Sequence, residues 1–107
     1  MGLDAQLIAT GPFHRDLVPF LEYPAERYDA VPEGATIVTT VHECVTSDES
    51  GRLARAFGVG AMELHRHALD PGAADLALLE AVGERRLVDA FSRLRDAGFR
   101  FYYLPNA

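Results

Sequence analysis

The run of β-branched residues from Thr36 to Val45, followed at once by a capped helix start, constrains this chain more than any other stretch. Thr36, Ile37, Val38, Thr39, Thr40, Val41 and Val45 suit a pleated, half-buried surface because their side chains are already stiff at χ1. The stretch reads as a strand. Strict alternation would send Ile37, Thr39, Val41, Glu43 and Val45 to one face, and Val38, Thr40, His42 and Cys44 to the other. Apolar residues on both faces predict a central strand with cover on both sides. Thr46 then offers an N-cap hydroxyl, Glu49 completes the capping-box spacing, and Asp48 suits the positive first turn. The expected helix runs from Ser47 to Phe57, buries Leu53, Ala54, Ala56 and Phe57, and closes at Gly58.

The flanking sequence supplies the remaining elements. Leu3 to Thr10 alternates well enough for a first strand, broken by Gly11-Pro12. Pro12 suits the first residue of a short helix carrying Phe13, Leu17, Phe20 and Leu21, which Pro19 interrupts. Glu22 to Val31 reads as a helical turn or a structured loop packed by Tyr23 and Tyr28, and Pro32-Glu33-Gly34 as a turn. Ala61 to Leu69 fits a strand better than a helix. Asp70-Pro71-Gly72 ends it, a helix covers Ala73 to Val82, and Gly83 separates that helix from a second over Glu84 to Ala97. Leu87, Val88, Phe91 and Leu94 form the clearest amphipathic stripe. Gly98 closes it before an aromatic strand, Phe99 to Leu104. The order is strand, helix, strand, helix, strand, two helices, strand. The expected fold is therefore α/β or α+β, one small layered domain over 1–107 with about four strands.

Charge and cysteine content exclude several functions. Sixteen acidic against ten basic residues, all arginine, leave a net charge of −6, which weighs against phosphate-backbone binding and favours a basic protein partner. No apolar run is long enough to span a membrane, and the N-terminus lacks signal-peptide order. A single cysteine makes no intrachain disulfide, so a cytoplasmic location is expected. The sequence contains no dinucleotide, Walker, H-E-x-x-H or G-x-S-x-G motif.

Two chemistries are worth following into the structure. His42 and Cys44 share one face of their strand, and His65 and His67 would share a face of theirs; together they offer a ligand set that zinc accepts. The bland alternative is a set of surface or hydrogen-bonded histidines and a buried cysteine acting as a small hydrophobe. A reactive thiol at Cys44 is disfavoured because Asp48 and Glu49 stand where an anionic substrate would bind. The leading expectation is a small acidic interaction or inhibitor-like module without catalytic activity. Its partner-binding candidates are Glu22, Glu26, Asp29 and Glu33, and self-pairing through an aromatic edge strand at Phe99 to Leu104 would make it a homodimer. The second expectation is a metal-binding protein, including a hydrolase, built on His42, Cys44, His65 and His67.

Overall fold

The computed structural model describes residues 4–60 and 68–105. The β-branched run forms β2, Thr36–Cys44, and the alternating N-terminal stretch forms β1, Ala5–Pro12. The helix after β2 is α1, Ser47–Ala56, and it starts as its sequence dictates: the Thr46 hydroxyl accepts the Glu49 amide at 3.1 Å. Gly58, at φ 69°, takes the left-handed conformation that ends it. Leu53, Ala54, Ala56 and Phe57 are all buried, so the expected stripe is the one that packs. Of the stretch 61–69, β3, Ala68–Leu69, is described; residues 61–67 lie outside the described residues.

Helix α2, Leu76–Asp96, follows with Asp75 as its cap, Asp75 Oδ1 accepting the amides of Ala77 and Leu78. It is two helical runs joined across Gly83 and Glu84, whose backbone leaves the helical region. The expected separation at Gly83 is therefore present, although the first run begins at Leu76 and not Ala73. Strand β4, Arg100–Pro105, is the last regular element among the described residues.

The four strands form one antiparallel sheet in the order β2-β1-β4-β3, so the fold is a mixed α/β domain. Two expectations are corrected by this order. Strand β2 is an edge strand, not a central one, and the aromatic strand β4 is interior, paired with β1 on one side and β3 on the other. The side of β4 away from β1 is taken at Phe101 and Tyr102, which pair with β3. The third correction is at Gly11-Pro12, which does not break β1: Pro12 is its last residue, opposite Thr36. Gly11 is needed there because a Cβ would stand 2.7 Å from the Phe99 ring.

One face of the sheet carries the core. Ala5, Leu7 and Ala9 of β1 and Phe101 and Tyr103 of β4 point into it, beneath Phe57 of the α1 end and Leu87, Phe91 and Leu94 of α2. Phe91 is the hinge of the packing, 4.7 Å from the Phe101 ring and 5.6 Å, edge-on, from Phe57. Each such ring removes enough apolar surface from water to contribute about 2–3 kcal/mol. The β1–β2 connection folds onto the same layer as two 3₁₀ turns, Arg15–Phe20 and Ala25–Tyr28, with Phe13 stacked on Tyr28 at 5.5 Å. The Arg93 guanidinium over Phe20, 5.1 Å from its centroid, ties this connection to α2.

Candidate functional site

The chemistry of the molecule gathers along β2, and a bulge explains how. The register passes from Leu7 opposite His42 to Ile8 opposite Thr40, leaving Val41 as the extra residue. One inserted residue reverses the alternation. Ile37 and Thr39 face the core before it, and His42 and Cys44 face the core after it; strict alternation had put these pairs on opposite faces. The bulge is also why β2 looked apolar on both faces and therefore central.

Beyond the bulge, His42, Cys44 and Glu49 present one donor atom each, all within 4.8 Å of one another. His42 Nε2 stands 3.3 Å from Glu49 Oε2, with side chains 19% and 25% exposed, while Cys44 is fully buried. Glu49 reaches this point because it sits in the first turn of α1, directly over the end of β2. Its amide is used by the Thr46 cap, and its carboxylate turns to His42, so only one half of the capping box is made. Ser50 completes the corner: its hydroxyl donates to Asp4 Oδ2 and lies beside the Cys44 thiol. Burial first, then the charges of Glu49 and Asp4, push that thiol up to about 11, and the neighbouring Ser50 hydroxyl offsets only part of the rise. It is a protonated thiol at neutral pH and a poor nucleophile.

His42 and Cys44 are thus brought together, and Glu49, which the sequence offers as a cap and as a charge beside Cys44, joins them. His65 and His67 lie outside the described residues. The ring of His42 also borders an open groove of about 490 Å³ between the end of the first 3₁₀ turn, β2 and the break in α2. Glu22, Glu43, Glu84 and Arg86 supply its polar lining. Gly83 makes room for the imidazole, since a Cβ there would stand 3.1 Å from His42 Cε1 and 2.5 Å from Leu87 Cδ2. Glu84 holds φ 65° and ψ −171°, a combination that side chains rarely adopt and that costs about 1–3 kcal/mol.

Before the bulge, β2 is a bare edge. The Phe13 amide donates to the Ala35 carbonyl at 2.8 Å, which sets odd-numbered β2 residues toward β1 and turns the amides and carbonyls of Thr36, Val38 and Thr40 outward. Among the described residues no strand lies on that side. The Val38 side chain is 64% exposed. Glu22 Oε1 covers one outward group, accepting the Thr40 amide at 2.9 Å, and the Glu22 amide donates to Thr39 Oγ1 at 3.0 Å.

Of the other acidic candidates, Glu33 is held internally, its carboxylate accepting the Arg15 amide at 2.9 Å and lying 3.3 Å from His14 Nδ1. Glu26 and Asp29 are exposed and flank Arg27, which rests on the Tyr23 ring. Of the four, Glu22 is the one whose carboxylate bonds to β2. No helix among the described residues is long and apolar enough to cross a membrane. Comparison with protein-family models, with curated proteins and with solved structures found no match.

Proposed function

We propose that this protein is a small non-catalytic binding module that takes up an extended, basic segment of a partner protein as an added strand on β2. The observation that supports this is the outward row of backbone groups at Thr36, Val38 and Thr40 beside the exposed Val38 side chain. Strand addition draws its affinity from main-chain hydrogen bonds, each contributing about 0.5–1.5 kcal/mol net, and its selectivity from alternate side chains. A strand arriving here displaces Glu22 from the Thr40 amide. The freed carboxylate, with Glu43 at the same end, then sits beside the incoming chain, where lysine or arginine satisfies it. The net charge of −6 steers such a segment in the same direction. We place the module in the cytoplasm, where Cys44 stays reduced.

A labelled peptide of alternating lysine and valine, titrated by fluorescence anisotropy, tests the reading. The Val38 amide points away from β1, so Val38→Pro removes an outward donor and spares the native ladder. Binding is expected to weaken as salt rises, to fall at least tenfold in Val38→Pro, and to depend less steeply on salt in Glu22→Gln. Equal affinity in wild type and Val38→Pro, or no binding at low salt, contradicts it. Concentration-dependent self-association in sedimentation, abolished by Val38→Pro, would assign the edge to a second copy of the chain instead.

A further inference from the structure

We propose that His42, Cys44 and Glu49 form a zinc site, with the imidazole and thiolate supplied from the last turn of β2 and the carboxylate from the first turn of α1. Nothing in the strand-addition reading requires this site, and the two stand or fall separately.

The geometry is close to what the metal demands. Zinc takes sulfur at about 2.3 Å and nitrogen or oxygen at about 2.0–2.2 Å, so tetrahedral donors lie roughly 3.3–3.6 Å apart. The His42–Glu49 separation of 3.3 Å already meets that condition. None of the remaining separations exceeds 4.8 Å. The donors come from a strand end and a capped helix, two elements held by the Thr46 cap and the β1–β2 ladder. A site built on such elements loses little entropy when it binds.

Charge and surroundings point the same way. A thiol, an imidazole and a carboxylate together suit a borderline dication such as zinc better than calcium or magnesium, which prefer oxygen alone. Asp4 adds a second carboxylate behind the cluster, held there by the Ser50 hydroxyl that donates to its Oδ2. The positive end of α1 opposes a cation by about half a charge, and Glu49 and Asp4 outweigh it. Three protein ligands leave the fourth zinc position for water or a further donor.

Gly83 borders the same construction: a Cβ there would crowd Leu87 at 2.5 Å and press on the His42 ring at 3.1 Å.

Cobalt(II) titration of full-length protein, purified without chelator or affinity tag, is the test, alongside elemental analysis for zinc. One equivalent of cobalt producing thiolate-to-metal charge-transfer absorption is expected, displaced by zinc. Cys44→Ser should abolish that absorption, and Glu49→Gln, which keeps the amide used by the Thr46 cap, should weaken cobalt binding at least tenfold. Because Cys44→Ser alters a buried position, Glu49→Gln and His42→Ala serve as independent variants whose fold is checked by circular dichroism. Absence of thiolate absorption in wild type, or undiminished binding in folded Glu49→Gln and His42→Ala, overturns the proposal. Binding lost only in His65→Ala/His67→Ala places the metal elsewhere and overturns it equally.

Discussion

Strands β1 and β2 are neighbours of similar length, yet they do opposite work. Every inward residue of β1 up to Ala9 is a fully buried aliphatic, and the strand is paired on both sides. Strand β2 buries only Thr39 and Cys44 completely, has no strand on its outer side among the described residues, and carries a bulge. Stability is concentrated in β1, β4 and the helices above them. Reactive and exposed groups are concentrated in β2 and the α1 corner. A protein arranged this way tolerates change along β2 with little loss of fold, because β2 contributes few of the large buried side chains.

The largest test of that division is Phe91→Ala. Removing the ring that contacts both Phe57 and Phe101 should cost about 3–5 kcal/mol, read from denaturant midpoints. Leu7→Ala, on β1, should cost about 2–5 kcal/mol by the same mechanism. A value below 1 kcal/mol for both would place the core elsewhere.

The next effect is in pH. The folded Cys44 thiol titrates at about 11, above its ordinary value of 9.0, so the folded state holds the proton more tightly. For metal-free protein this contribution is complete below pH 9 and is lost as pH rises toward 11, by about 2–3 kcal/mol. Cys44→Ala should flatten that part of the pH–stability curve relative to wild type. An unchanged curve would mean that the thiol is not desolvated.

Smaller changes sharpen the comparison at the corner and the break. Thr46→Ala should cost about 1 kcal/mol through the lost cap on α1. Glu84→Gly should stabilise by about 1 kcal/mol, since glycine accepts φ 65° without strain. Both are readable as shifts in melting temperature. At the bottom of the scale, Val38→Lys should alter stability by less than about 0.5 kcal/mol while impairing uptake of a basic strand.

The parts of this fold that could be read from sequence were those decided locally. Thr46, Glu49 and Gly58 define α1 by their own hydrogen bonds and backbone preferences, and Gly83 marks the break in α2. What failed depended on neighbours that the sequence does not display. Period-two counting makes β2 central because it treats Val38 and Val45, which stand exposed, as buried and misses the bulge at Val41 that pairing with β1 creates. Pro12 looked like a helix start because its position opposite Thr36, at a point of the ladder needing no amide, is a tertiary fact. Glu49 was legible as a cap but not as a neighbour of His42, although a first-turn carboxylate placed after a strand ending in His-x-Cys is a signal for it. His65 and His67, read as ligands, lie outside the described residues.

Amide hydrogen exchange on free and peptide-bound protein tests the central claim most directly. The outward amides of Thr36 and Val38 should exchange fast in the free protein, while the amides within β1 exchange slowly. Addition of the lysine–valine peptide should then protect Thr36 and Val38 selectively. Slow exchange at both amides in the free protein, or protection appearing on α2 or β4 and not on β2, would contradict the account.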